Sequence, residues 1–332
     1  MATLDKMTYF NTHLLLVISV YGITIISLNY IVTIQTQDHF IFAVTIPNFR
    51  INAVGDWGCT PDTLNTVNKI EQLNPIIVLA LGDLSYTTTA DCWLNDTKSI
   101  DSKLKILVGN HEQDEGNPSS LLSQYLTHFH LTRTFYSFEY ENIHFTIMNS
   151  EINYTYGSPQ YLFVNRDLSD ASNNPHIKWI VVAFHTPMYT SPSRHPAAIL
   201  FRIIYHPLFD KYRVDLVLQG HNHNYQRSYP LIYNYTNPGD PTVGTASNNT
   251  YFNPLGEVYL VVGTGGHPLY DLFGRASYMA AQYRGFGLLS IDFLNNGTKL
   301  DGKFYNSRGS VIDEFAIGKG QIANQAREQK RY

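Results

Sequence analysis

The chain has 332 residues, 44% apolar and 15% charged, with 23 Lys and Arg against 27 Asp and Glu, which excludes a disordered segment, a coiled coil and a fibre. A formal net charge of −4 offers no basic field for a nucleic acid, so no nucleic-acid binding is expected and any phosphate chemistry falls to a local site. The 22 Gly, 24 Tyr and 18 Phe suit a strand-rich globular enzyme, and two cysteines make one disulfide at most.

In chain order, the first feature is apolar. No Lys, Arg, Asp or Glu stands between Lys6 and Asp38, and residues 14–34 read LLLVISVYGITIISLNYIVTI. A bilayer needs roughly 20 mostly apolar residues, and no small-residue cut site of a cleavable leader follows. Residues 1–36 are therefore expected to be a transmembrane anchor, with a signal segment or a buried core helix as alternatives. The sequons at Asn95, Asn153, Asn234, Asn248 and Asn296 agree with an extracytoplasmic domain behind it. That domain is expected over 37–317, followed by a polar tail over 318–332.

Strand-length apolar runs then alternate with helical patterns. Strands are predicted at 49–54, 76–81, 104–108, 143–148, 179–184 and 214–218. A helix is predicted after Thr60-Pro61-Asp62, with Leu64, Val67, Ile70 and Leu73 on one face, and another over 197–209. Further on, strands are predicted at 257–262, 286–293, 303–306 and 311–317, a loop at 233–252, and at most one helix, near Met279. The pattern gives one α/β domain.

Five of these strands end in polar blocks: Gly55-Asp56-Trp57-Gly58, Gly82-Asp83-Leu84-Ser85-Tyr86, Gly109-Asn110-His111-Glu112, Val182-Ala183-Phe184-His185 and Gly220-His221-Asn222-His223. Each alone reads as a turn. Together, at the carboxyl ends of strands, they mark a site. Two Asp, one Asn, three His and one Tyr supply hard oxygens and borderline nitrogens in a number suited to two metal ions sharing a carboxylate. Cys59 and Cys92 each stand just behind a block, where they form either a disulfide or two buried thiols.

With these blocks the chain resembles the purple acid phosphatases among the calcineurin-like metallophosphoesterases, whose pattern is GDxG, GDxxY, GNH(D/E), VxxH and GHxH in that order. Tyr86 narrows the resemblance to the purple subgroup, and Gly263-Thr264-Gly265-Gly266 is similar to the family's closing strand. The resemblance implies a four-layer αββα sandwich of two mixed sheets flanked by helices, without the β-sandwich domain of the large plant members. It implies two metal ions, Fe(III) on Asp56, Tyr86 and His223 and a divalent Fe, Zn or Mn on Asn110, His185 and His221, with Asp83 bridging.

Hydrolysis of phosphomonoesters by hydroxide formed at the metal pair follows as the expected activity, on phosphorylated small molecules or phosphoproteins. His111 and His195 match positions of outer-sphere histidines that bind phosphate and protonate the leaving group. Arg194, where the family often has a second histidine, is a candidate bidentate phosphate donor. The rival enzyme reading is a phosphodiesterase, nucleotidase or pyrophosphatase with a Mn or Zn pair; the rival from another class is a metal-binding ectodomain without turnover. His128, His130, His144 and His206 read as surface or satisfied core residues, and His267 likewise, with a pocket-facing position as its minor alternative.

Overall fold

The computed structural model describes residues 46–113, 120–247 and 249–320, and the backbone of three strands further upstream. Those are β1 (Leu16–Ser19), β2 (Gly22–Ser27) and β3 (Tyr30–Val32), paired antiparallel in the order β1-β2-β3. This differs from the expected membrane helix. The segment is dominated by β-branched Val, Ile and Thr, which favour extended backbone, and Gly22 interrupts it. No helix among the described residues is long and apolar enough to cross a membrane. The rest of 1–36, and the tail beyond 320, lie outside the described residues.

A seven-stranded sheet follows from β4 (Phe49–Val54), β5 (Ile77–Leu81) and β6 (Leu104–Leu107), which are mutually parallel. Their near-continuous apolar runs are what strands covered on both faces require. Helix α1 (Pro61–Leu73) links β4 to β5; Thr60 caps it by accepting from Thr63 N, Pro61 supplies the first turn, and Asn74 at φ 46° closes it. The short α2 (Asp91–Asp96) links β5 to β6.

The second sheet begins after α3 (Leu121–His128) with the hairpin of β7 (Tyr136–Tyr140) and β8 (Ile143–Ile147). Helix α4 (Pro159–Asn173), β9 (Trp179–Ala183), α5 (Ile199–Tyr212) and β10 (Leu216–Gln219) follow in βαβ alternation, with β8, β9 and β10 parallel. Then come β11 (Tyr225–Ile232), β12 (Thr242–Val243), β13 (Thr250–Phe252), β14 (Glu257–Val262) and β15 (Met279–Tyr283). The segment near Met279 is thus strand, not helix, and the loop expected over 233–252 holds two short strands.

Finally β16 (Gly287–Leu294), β17 (Lys299–Asn306) and β18 (Val311–Gly318) return to the first sheet, ordered β13-β18-β17-β16-β4-β5-β6. The second sheet runs β12-β11-β14-β10-β9-β8-β7, with β15 on β11. The sheets pack face to face: Trp179 meets Phe293 at 5.9 Å and Tyr225 stacks on Phe304 at 4.1 Å between ring centroids. Helices α4 and α5 cover the outer face of the second sheet through Val164, Leu168, Phe201, Tyr205 and Phe209, and α1 buries Val67 and Ile70 against the common core. The α/β two-sheet sandwich expected from the sequence is present.

Candidate metal centre

The carboxyl ends of β4, β5, β6, β9, β10 and β14 open on one rim, and main-chain hydrogen bonds lock their loops together. Gly55 N donates to Val262 O at 2.9 Å, joining the two sheets, and Asp56 N donates to Gly82 O at 3.0 Å. Asp56, Asp83 and His221 stand at φ 58°, 49° and 69°, a left-handed conformation that costs a non-glycine residue energy and clusters at functional sites. Close approach fixes two glycines: a Cβ on Gly109 would sit 2.2 Å from Asp83 Oδ1, and one on Gly220 would sit 2.7 Å from Asp56 Oδ2.

These loops gather two overlapping sets of side chains. In the first, Tyr86 Oη lies 3.4 Å from Asp56 Oδ1 and 3.1 Å from His223 Nε2, and His223 Nε2 is 3.2 Å from Asp56 Oδ1. In the second, Asp83, His185 and His221 hold ligand-type atoms within 4.8 Å of one another. Asp83 belongs to both, since its Oδ2 is 3.3 Å from Tyr86 Oη and 3.2 Å from His185 Nε2. Asn110 lines the cavity in front.

Proton positions make the case for cations. His185 Nδ1 lies 2.8 Å from Leu81 O and His223 Nδ1 lies 2.7 Å from Pro268 O. A carbonyl only accepts, so both Nδ1 atoms carry hydrogen, and each ring turns its Nε2 towards a carboxylate. His185 Nε2 is buried without a hydrogen bond. An imidazole nitrogen 3.2 Å from a carboxylate oxygen needs a proton or a cation between them. This is the tautomer and orientation that main-chain carbonyls impose on metal-binding imidazoles, and the donor set fits the two ions expected.

The electrostatics show how strongly the site favours positive charge. Burial pushes the His185 imidazole down, but Asp83 and Asp56 outweigh it and hold its pKa up to about 10. Burial pushes the Asp83 carboxyl up, yet His185 and the His111 amide draw it well below the usual carboxylate range. Burial, then His185, lower His221 to about 3, which keeps it a neutral donor. Burial with Asp56 and Asp83 drives the Tyr86 phenol far above its ordinary value, so only a strong Lewis acid would ionise it.

Around this centre, a cavity of about 140 Å³ is lined by Asp83, Asn110, His111, Arg194, His195, His221, His223 and Tyr270. His111 rests on the Tyr86 ring at 4.3 Å and His195 on the His221 ring at 4.2 Å. His195 N donates to Asn222 Oδ1 at 3.0 Å, and burial, His223 and Arg194 lower its pKa. The Arg194 guanidinium lies over Tyr270 at 4.9 Å. All ten residues singled out from the sequence thus meet at one rim.

Three others, none of them expected among the site residues, pack around the centre. His267 stacks on Tyr86 with ring centroids 3.3 Å apart, beside the cavity lining; the signal was the Gly265-Gly266 turn before it. Tyr270 stacks on His223 at 3.8 Å, which no motif announced. Glu112 is buried and accepts from the amides of Asp83, Leu84 and Gly109 at 2.9, 2.8 and 2.8 Å, tying two loops together. It was visible only as the last letter of its block. Burial, then Asp83, push its pKa up to about 8. Cys59 and Cys92 form a disulfide, with Cα atoms 6.1 Å apart, that fastens the first loop to α2. His144, between Glu139 and Asp167, and His128, on Asp101, are satisfied as expected.

Residues 49–225, just over half of the chain, match the calcineurin-like phosphoesterase family, and the chain belongs to it. Within that family it is purple acid phosphatase-like. It is 28% identical over 258 residues to purple acid phosphatase 15 of Arabidopsis thaliana, covering 66% of this chain and 45% of that one. It is 27% identical over 293 residues to a nucleotide pyrophosphatase/phosphodiesterase of Hordeum vulgare, covering 77% and 76%. The structure of purple acid phosphatase PPD1 from yellow lupin seeds shares the fold, with a TM-score of 0.72 at 23% identity over 83% of this chain and 55% of that one. The chain therefore spans about half the length of purple acid phosphatase 15.

Proposed function

We propose that the protein hydrolyses phosphomonoesters as a purple acid phosphatase-like enzyme with an Fe(III) and a divalent Fe, Zn or Mn ion. The observation that carries this is the pair of histidines, His185 and His223, whose main-chain partners hold Nδ1 and leave Nε2 facing Asp83 and Asp56 at 3.2 Å. Asp56, Tyr86 and His223 would hold the ferric ion, Asn110, His185 and His221 the divalent one, and Asp83 both. Hard anionic oxygens suit the trivalent ion, and an amide with two imidazoles suits the divalent one. When bound, the pair supplies Lewis acidity that offsets phosphate charge and activates water.

The chain's own side chains do the rest. Arg194, packed on Tyr270, aims a guanidinium at phosphate oxygens. His111, on the exposed lip, orients the phosphoryl group, and His195, on the opposite wall, gives a proton to the leaving oxygen. An imidazole with a lowered pKa releases its proton readily and is reloaded under acidic conditions.

The test is metal content with a visible spectrum, comparing Tyr86→Phe. One iron per chain and a visible band lost in the variant support the reading; a colourless protein holding two Mn or Zn ions transfers it to a broader phosphoesterase. The activity for which the Hordeum relative is named favours that second reading. Relative rates on nitrophenyl phosphate and its bis ester separate the two, and a preference for the diester overturns the monoesterase.

We also infer an extracytoplasmic, membrane-tethered domain, supported by the uncharged stretch between Lys6 and Asp38 and by sequons whose Asn95, Asn153 and Asn296 are exposed. A mass shift on endoglycosidase treatment and recovery in the membrane fraction are expected. A cytosolic, unglycosylated protein contradicts it.

A further inference from the structure

We propose that Asn222 is a positioning residue that clamps the main chain of His195 and so holds its imidazole where a leaving oxygen can take its proton, with Thr190 and Gln226 as the buttress behind. This rests on the role given to His195 above and names the groups that secure it. His195 belongs to no helix or strand: it lies between β9, which ends at Ala183, and α5, which begins at Ile199. A ring that must meet a reacting oxygen tolerates little displacement, since a shift of about 1 Å can cost on the order of 10²-fold in rate.

The clamp has two arms. His195 N donates to Asn222 Oδ1 at 3.0 Å, and Asn222 Nδ2 donates to His195 O at 3.0 Å. One side-chain amide thereby fixes the peptide units on both sides of His195, and these main-chain partners decide which end of the amide is oxygen and which is nitrogen. Nδ2 also donates to Thr190 Oγ1 at 3.0 Å. Thr190 Oγ1 accepts in addition from Gln226 Nε2 at 2.8 Å and donates to Ser191 O at 3.0 Å. Gln226 is oriented in the same way, its Oε1 accepting from Ser191 N at 2.6 Å and its Nε2 reaching Asn224 Oδ1 at 2.8 Å. Asn224 Nδ2 in turn donates to Ser193 Oγ at 2.9 Å.

These amides are committed to the one loop. Asn222, Asn224 and Gln226 are fully buried, and they alternate along the chain with His221 and His223, whose rings join the metal centre. The run that supplies two ligands on one side supplies the clamp on the other, so a single short segment sets where the His195 main chain lies relative to the centre. The ring itself is steadied by His221 at 4.2 Å and Tyr270 at 5.4 Å between centroids. An apolar side chain at 222 could fill the same space, but it would leave the N–H and C=O of His195 without these partners.

The experiment compares kcat/KM of the metal-loaded protein on nitrophenyl phosphate, whose anion leaves without a proton, and on glycerol phosphate, whose alkoxide needs one. With the second substrate, ester and water give glycerol and inorganic phosphate, His195 giving its proton to the glycerol oxygen and regaining one from water. His195→Ala should lose about 10²-fold more on the glycerol ester than on the nitrophenyl ester. Asn222→Ala should move that ratio the same way by about tenfold, and Thr190→Val, which removes the hydroxyl, by about threefold. Thr190→Ser, which retains the hydroxyl, should restore the wild-type ratio. Metal content and thermal midpoint are read alongside: loss of fold or of metal lowers both rates and leaves their ratio, and should Asn222→Ala suffer it, Thr190→Val decides. A ratio shifted in His195→Ala but unchanged in Asn222→Ala and Thr190→Val overturns the proposal alone, while a ratio unchanged in His195→Ala overturns it together with the proton-donor role.

Discussion

Two buried clusters in this protein each bring histidine together with two carboxylates, at opposite ends of the second sheet, and their chemistry is opposite. At the rim, His185 faces Asp83 and Asp56 with its Nδ1 tied to Leu81 O. At the far end, where Glu257 begins β14, His206, Asp210 and Glu257 hold ligand-type atoms within 4.8 Å. There the His206 Nδ1 meets the Tyr189 hydroxyl at 2.7 Å, and its Nε2 lies 3.1 Å from Glu257 Oε2. A hydroxyl can donate where a carbonyl cannot, so His206 can offer Nε2–H to Glu257 while neutral. Burial lowers His206 to about 4 and lifts Glu257 well above the carboxylate range, so these two are uncharged near neutral pH. The two clusters share residue types and differ in the group that faces Nδ1, a carbonyl at the rim and a hydroxyl at the far end.

The largest expected effect separates the two clusters by activity. Asp83→Ala should cost kcat/KM on the order of 10³-fold, as loss of a group that organises transition-state charge does, whereas Glu257→Gln should stay within about twofold of wild type. Equal losses on nitrophenyl phosphate would erase the distinction. Next comes the staple found only at the rim. A bond closing a loop of sequence separation 33 stabilises by about 3–4 kcal/mol in the chain-entropy account, so replacing both cysteines by serine should lower the denaturation free energy by that order. Two reactive thiols in denatured, unreduced protein would exclude the bond.

Glu112→Gln tests the loop tie. The glutamine amide would confront the Leu84 N–H that a carboxylate oxygen now accepts, costing about 1–3 kcal/mol of stability. Metal affinity, read by equilibrium dialysis, should fall about 10–100-fold.

The smallest effect is a pH slope from the far cluster. Burial and Glu257 raise Asp210 from 3.8 to about 6. A carboxyl whose folded pKa is raised stabilises the fold below its unfolded pKa and loses that contribution as pH climbs through the folded one. Thermal midpoints should therefore fall between about pH 4 and pH 6, and the fall should be shallower in Asp210→Asn.

Much of this was legible in the chain because strands in a two-sided sheet read as short apolar runs and their ends are punctuated by Gly with Asp, Asn or His. The predicted strand at 49–54 coincides with β4, and the five blocks converge as expected. What escaped has physical causes. Strand β11, YQRSYPLI, carries buried Gln226 and Arg227, whose partners are distant in sequence, Ser191 and Asp313 among them, so its polarity hid it. Helix α4 has a weak apolar stripe and is recognisable mainly by Ser158 and Pro159 at its start. Tyr270 and His267 reach the site from the stretch after β14 by stacking, which has no spacing rule.

The central claim, that the rim holds two cations which the far cluster does not, is tested most directly by counting metal in purified wild type beside Asp83→Ala and Glu257→Gln. Two ions per chain in wild type and Glu257→Gln, with one or none in Asp83→Ala, is the predicted result. A phosphatase active without metal, or metal lost from Glu257→Gln and kept in Asp83→Ala, would contradict it.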